Sequence, residues 1–437
     1  MTSAASFRKL EHREHVLMRP DMYIGSVRTE PMAAWILADA SCNNGGSSAK
    51  MERRQDVAYC PGLLKVFDEI LVNAADHATR SRQLLLRADA KGDDDPLQVV
   101  KKIEVAIDAK SGVLEVANDG DGIPVEAHAS GIYVPELIFG HLLTSANYDD
   151  EEAAADGGGE GGDDAKSEGS DKGGGKKAGG GGSGSKRTVG GQNGIGAKAC
   201  NILSKWFEIE IVDRRRHLRY RQRWEDNMSK ALPARIEKTT VKKSRTVVRW
   251  LPDYARFSSS AATAAATAAA ANADASNNLL SPDMHALMAR RVVDACAVTD
   301  PDVAVWLDGK KLEVKSFERY VELFPGVGAG NKAHERPCDG WEVAAAMLPH
   351  DGRDEGMQQV SFVNGVATLR GGRHVDHVVQ QMCKKVCELI AARKKGVTPK
   401  PQYVRDNLIV FVRATVPGPT FDSQSKETLT TTPSHFG

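Results

Sequence analysis

Four short segments place reactive residue types at spacings that suit chemistry on a phosphorylated ligand. In FDEILVNAADH, Glu69, Asn73 and Asp76 stand at i, i+4 and i+7, so a helix lines them along one stripe. A carboxylate beside an amide suits a water-activating base next to a magnesium ligand, because magnesium takes hard oxygen donors and keeps several waters. The same stripe also fits a plain solvated helix face. In ANDGDGIPV, Asn118 offers both a donor and an acceptor, and Gly120 and Gly122 open a wall for a flat ring, although an Asx-Gly turn reads the same way. GGQNGIGAKACNILSKW puts Gly190, Gly191, Gly194 and Gly196 just ahead of a helix-like run, with Lys198 behind them. Such glycines let backbone N–H groups approach an anion at the positive end of a helix, or simply make a tight turn. Near the end, FDSQSKETLT sets Gln424 and Lys426 in a polar loop, where a lone lysine is ordinarily solvated.

The elements that must hold these residues are legible from periodicity. Pro61 to Arg80 predicts an amphipathic helix with Leu63, Phe67, Ile70, Leu71 and Ala74 on one side. Lys102 to Pro124 predicts a hairpin turning at Lys110-Ser111-Gly112, and Phe207 to Trp224 a second one. Thr246–Leu251 reads as a further strand. Strands at Val303–Leu307, Gln358–Val363 and Leu408–Val416, with helices at Asp283–Ala297 and Val375–Lys394, predict a second α/β domain. Residues 149–186 are acidic, then Gly-rich, then basic, and carry too little apolar surface to fold. Residues 258–278 are Ala, Thr, Ser and Asn without an amphipathic face, which suggests an insertion near a domain boundary. The expected division is therefore residues 1–255 and 256–437.

Bulk properties remove several classes. Lys plus Arg and Asp plus Glu both number 58, so contact with DNA or a membrane surface would have to come from a local patch. The seven cysteines lack zinc-ligand spacing, and Cys383 and Cys387 fall at packing positions of a helix. The first residues have no signal-peptide core and no run is long enough to span a bilayer, which predicts a soluble intracellular protein.

ExxxNAxD on a helix, NxGxG after a strand, GxNGxGxK ahead of a helix and a distal QSK, in this order, closely resemble the ATPase region of type IIA DNA topoisomerases. That region belongs to the GHKL superfamily of gyrase, heat-shock chaperones, histidine kinases and mismatch-repair ATPases. LMRPDMYIGS (17–26) resembles the family's amino-terminal arm and VNGVATLRGGRHVDHV (363–378) its transducer domain. FGHLLTSANYDD (139–150) is similar to the eukaryotic-type enzymes.

The resemblance implies an α+β fold, a Bergerat ATPase sandwich followed by a smaller transducer. It implies ATP and Mg2+ as ligands, with Glu69 as general base and Asn73 on magnesium. Asn118 would read adenine, Ser145 and Asn147 would lie near ribose and phosphates, Arg80 would belong to the ATP site, and Gly191, Gln192, Asn193, Gly194, Ile195, Gly196, Ala197 and Lys198 would wrap the triphosphate. Gln424 and Lys426 would reach the γ-phosphate from the second domain, and Tyr23 would cross to a partner subunit's nucleotide. The implied partners are a second copy of the chain, duplex DNA held without sequence preference, and a DNA-cleavage domain further along the same protein. Among basic segments, Arg219, Arg221 and Arg223 on a strand and Arg393, Lys394 and Lys395 at a helix end are candidate phosphate contacts. The implied location is the nucleus for a cellular source and the host's replication compartment or the virion for a large DNA virus. The chain departs from the family pattern at Gln192, Ile195, Ala146 and His77, and has Ser425 where Thr is usual.

Overall fold

A computed structural model describes residues 10–38, 49–88, 95–142, 194–257, 279–328, 330–348, 356–394 and 396–436. Ser145, Ala146, Asn147, Gly191, Gln192, Asn193 and Lys395, with both low-complexity stretches, lie outside the described residues.

Two short helices, α1 (His12–Met18) and α2 (Asp21–Ile24), lead into an antiparallel ribbon of β1 (Glu30–Leu37) and β2 (Met51–Tyr59). Helix α3 (Pro61–Ala88) follows, with proline at its first position, where a missing N–H costs nothing. It runs on past Arg80 and buries Leu63, Leu64, Phe67, Ile70, Leu71, Ala74 and Ala78. The two expected hairpins are present. They are β3 (Lys102–Ile107) with β4 (Leu114–Asp119), and β5 (Ser204–Asp213) with β6 (Leu218–Glu225). Helices α4 (Val134–Gly140) and α5 (Gly196–Ile202) lie between them in sequence. Short strands β7 (Lys230–Ala231) and β8 (Arg235–Lys238) flank β6, and β9 (Arg245–Pro252) inserts between β4 and β5.

The next helix and strand depart from the expected division. Helix α6 (Pro282–Val298) packs against α3 and leads to β10 (Ala304–Leu307), which pairs parallel with β3, Val305 opposite Ile103. With the hairpin partner β11 (Lys310–Lys311), these strands form one sheet in the order β11-β10-β3-β4-β9-β5-β6-β7. The large sheet therefore takes in strands on both sides of residue 255. After residues 258–278 the chain returns to the β3 edge of the same sheet.

One sheet face is buried under the helices, and the other carries a charge ladder. Glu115, Arg249, Glu208 and Arg223 stand directly opposite one another across β4, β9, β5 and β6. This is the one-face-wet pattern of antiparallel sheets, with opposite charges as cross-strand neighbours.

After α7 (Phe317–Val321), a five-stranded sheet is built from β12 (Lys332–Cys338), β13 (Trp341–Met347), β14 (Gln358–Val363), β15 (Val366–Ala367) and β16 (Leu408–Ala414), in the order β12-β13-β16-β14-β15. Helices α8 (Arg373–Arg393) and α9 (Pro401–Asp406) pack together, and α8 lies against β16. Trp35, Tyr320, Phe324, Phe362 and Phe411 form a chain of edge-to-face aromatic contacts, with centroids 4.9 to 5.9 Å apart, that joins the β1 ribbon and α7 to this second sheet.

Candidate functional site

Helix α3 presents two adjacent carboxylates to two different environments. Asp68 Oδ1 accepts from both Nε and Nη2 of Arg291 on α6, at 2.9 and 2.6 Å. Arg291 Nη1 also donates to Asp294 at 2.8 Å, and Asp294 accepts from the Tyr320 hydroxyl at 2.6 Å. Burial works against the Arg291 charge, but Asp68 and Asp294 outweigh it and hold the guanidinium above its ordinary range.

Glu69, the next residue, meets lysines instead. Its Oε1 lies 2.6 Å from Nζ of Lys65, one helical turn earlier. Burial pushes the carboxyl up, yet Lys65 and Lys426 together overcome this and keep it below the ordinary carboxylate range. Glu69 therefore stays ionised at neutral pH, the state a general base requires. Its Oε2 lies against the first residue of α5: a Cβ built on Gly196 would sit 1.7 Å from that oxygen. Only glycine lets the helix begin so close to the carboxylate.

Lys426 reaches this place from the second sheet's end of the molecule. It has φ of 61°, closes a turn with its N–H to the Ser423 carbonyl at 3.1 Å, and is buried. Burial lowers its pKa, partly opposed by Glu69. Two ties hold the loop. Glu427 accepts from the Tyr59 hydroxyl at 2.6 Å and pairs with Arg370 at 3.0 Å, while the backbone of Leu429 bonds to Gly371 and Arg373. Gly372, at φ of 128°, passes so near Leu429 that a Cβ would lie 2.4 Å from its carbonyl oxygen. Gln424 and Ser425 are half-buried in the same loop, and Ser425 touches Gly25 of the arm.

Lys198 lies on α5 with its Nζ donating to the Gly194 carbonyl at 2.8 Å, and burial brings its pKa down to about 8. Gly194, Ile195, Gly196 and Ala197 make the start of that helix. Asn73 is exposed one turn beyond Glu69, and Arg80 is exposed two turns further on. Asn118, at the end of β4, donates from Nδ2 to His77 Nδ1 and to the Asp119 carbonyl, both at 2.8 Å. A small cleft beside it runs from Gly120 and Pro124 to Asp213 and Thr246. Tyr23 pairs with His15 of its own arm at 2.8 Å, and α1 and α2 rest on α5.

The described site residues thus fall into two groups, one around the start of α5 with Glu69, Gly196, Lys198 and Lys426, and one at the end of β4 with Asn118. Sequence reasoning missed Lys65, whose one signal was its i, i+4 spacing to Glu69, and the Tyr59–Glu427–Arg370 tie.

Comparison with known proteins speaks to the family and the fold. The DNA gyrase B family profile matches residues 310–435. DNA topoisomerase 2 of Arabidopsis thaliana is 36% identical over 99% of this chain, and that of Saccharomyces cerevisiae 34% identical over its whole length. The solved ATPase region of the Saccharomyces cerevisiae topoisomerase II is 34% identical with a TM-score of 0.74, covering all of this chain and 93% of that one. This chain belongs to the ATPase region of the type II DNA topoisomerases.

The solved ATPase and transducer domains of DNA topoisomerase II from Balamuthia mandrillaris are equally similar, at 34% identity and a TM-score of 0.75, over 92% of that chain. The ATPase domain of Thermus thermophilus gyrase B shares the fold at 17% identity and a TM-score of 0.52. The chain spans about a quarter of the length of its curated relatives, 24% of the Arabidopsis protein and 26% of the yeast one. Against the type II topoisomerase pattern, His77 now has a definite place: it is hydrogen-bonded to Asn118 and to the Asp121 carbonyl.

Arg219 and Arg221 face Glu210, at 3.6 and 2.8 Å, and Arg223 faces Glu208 and Glu225, at 3.9 and 3.2 Å. No helix among the described residues is long and apolar enough to cross a membrane. Among the described residues the exposed Asn73 side chain has no hydrogen-bond partner, which leaves its amide oxygen open to a cation, and no group of three acidic, His or Cys side chains could hold an ion by itself.

Proposed function

We propose that this chain binds and hydrolyses ATP and that hydrolysis drives a gate in a longer type II topoisomerase. The observation that carries this reading is the convergence on Glu69 of Lys65 from its own helix, the Gly196 helix start and Lys426 from the second domain. Glu69 takes a proton from the attacking water, a contribution of about a hundred- to ten-thousand-fold in rate. Lys426 and Gln424 approach the γ-phosphate, Lys198 and the amides of the lid helix hold the remaining phosphates, and Asn118 reads the base. Asn73 would hold magnesium, which neutralises phosphate charge. The working division is a nucleotide domain through Lys311 and a transducer after it, supported by the two sheets and by the gyrase B match from residue 310.

Because Lys426 distinguishes ATP from ADP, the two nucleotides differ in affinity for the closed arrangement, which is what a population shift requires. Closure would join two copies of the chain, with Tyr23 reaching the partner's nucleotide, and capture duplex DNA for passage through a downstream cleavage domain. For a cellular source the site of action is the nucleus. The test is phosphate release from Mg-ATP by the wild type and by Glu69→Gln. The variant should bind nucleotide and lose at least about a hundredfold in turnover. A wild type that binds ATP and never releases phosphate would leave a nucleotide-operated dimerisation switch in place of an ATPase.

A further inference from the structure

His77, Asn118 and two backbone carbonyls form a hydrogen-bond chain whose polarity is fixed by its ends. His77 Nε2 lies 2.9 Å from the Asp121 carbonyl oxygen, which can only accept, so Nε2 carries the proton. In the neutral ring Nδ1 is then a lone pair. The Asn118 atom 2.8 Å from Nδ1 must be an N–H donor, and the same nitrogen also lies 2.8 Å from the Asp119 carbonyl. Both hydrogens of the amide are consumed. Turning the amide over would set Oδ1 against a lone pair and a carbonyl together. The ring cannot easily rotate to relieve this, because Gly122 packs on it so closely that a Cβ there would sit 2.8 Å from Cε1. What remains of the Asn118 side chain for a ligand is Oδ1, which has no partner among the described residues.

We infer that His77 is a specificity-determining residue. By accepting from Asn118 at Nδ1, it commits the amide to present an oxygen to the nucleobase and so selects a purine carrying a 6-amino group over one carrying a 6-oxo group. This rests on the nucleotide reading above. It turns the base end of the site into a polarised reader whose sign is set by a residue that does not touch the base. Charge at His77 undoes the setting, since an imidazolium has no acceptor. The groups facing it are Arg80 on its own helix and Asp119 and Asp121 at the end of β4, and burial adds to Arg80 in favouring the neutral ring.

The test measures binding of ATP and of ITP, its 6-oxo counterpart, by calorimetry at neutral pH in the wild type and in His77→Ala. The wild type should prefer ATP by about tenfold or more, since a site built to bond a polar group rejects the analogue that reverses it. In His77→Ala the preference should collapse because ITP binds more tightly while ATP binds less tightly, an opposed change that general damage to the fold does not produce. Nitrogen-15 spectra of the wild-type ring give a readout that needs no variant, and should show the proton on Nε2. An unchanged ATP-to-ITP ratio in His77→Ala, or a proton on Nδ1, overturns the inference and leaves ATP binding intact. A wild type that binds neither nucleotide removes the nucleotide reading and this inference with it.

Discussion

Asp68 and Glu69 are neighbours on one helix and both are paired with cations, yet on the proposed function one is structure and the other does chemistry. Asp68 is met by the planar fork of Arg291, whose third nitrogen donates to Asp294, whose other oxygen takes the Tyr320 hydroxyl. Each guanidinium nitrogen donates to a carboxylate, and the partners come from α6 and from the approach to the second sheet. Glu69 is met by lysines, compact charges on flexible stems that can be re-aimed, and its second oxygen faces the start of a helix across a glycine. Closed arginine geometry fixes where α3 sits. Lysine geometry leaves the carboxylate ionised and exchangeable. The difference of one residue along a helix thus separates the part that holds the site from the part that works.

Paired substitutions break that contrast most directly. Glu69→Gln should cost about a hundred- to ten-thousand-fold in phosphate release and leave the unfolding midpoint close to wild type. Asp68→Asn should do the reverse. It leaves Arg291 buried with one partner fewer, a loss of about 3–5 kcal/mol in urea unfolding, with turnover per folded molecule largely kept. If the two variants lose activity and stability in equal proportion, the division of labour is wrong.

A smaller loss is expected at Gly196→Ala, whose new methyl would occupy the space of Glu69 Oε2. A displacement of about 1 Å at a reacting group costs about a hundredfold, so turnover should fall by that order with nucleotide affinity less affected. Steady-state kinetics with separate KM and kcat settle it, and wild-type kcat would show that the helix start gives way.

The mildest effect concerns pH. Burial brings the pKa of Lys198 down to about 8, and in the proposed function it must be charged to help hold phosphate. Above that pH the free protein has to take up a proton when a triphosphate binds, so affinity should fall by up to about tenfold per pH unit. Titration calorimetry in buffers of different ionisation enthalpy reads that proton, and an affinity constant between about pH 7 and about pH 9.5 would remove Lys198 from the phosphate end.

What the sequence disclosed follows the range of the interactions. The amphipathic face of α3, both hairpins and the chain order of the four motifs depend on spacing within a few residues, and all are present. Strand β10 could not be placed that way. Its four residues, Ala304–Leu307, carry no mark of the sheet they join, and their partner β3 lies across the insertion at 258–278. The β1 ribbon and β12 were missed because Pro31 and the exposed, charged KAHERPC stretch break the alternation that signals a strand. Within the site, Glu69, Asn118 and Lys426 could be named from motifs. Of the partners that set their charge and orientation, Lys65 is one helical turn away but acts through burial, while His77 and Tyr59 make contacts over tens to hundreds of residues.

The alternating Glu115, Arg249, Glu208 and Arg223 on the open face of the large sheet carry one more consequence. Each arginine there already has a carboxylate neighbour, so a duplex laid along these strands would displace few condensed counterions. That stretch of the surface offers a polyanion few uncompensated positive charges, so it would contribute little to any steep dependence of affinity on salt.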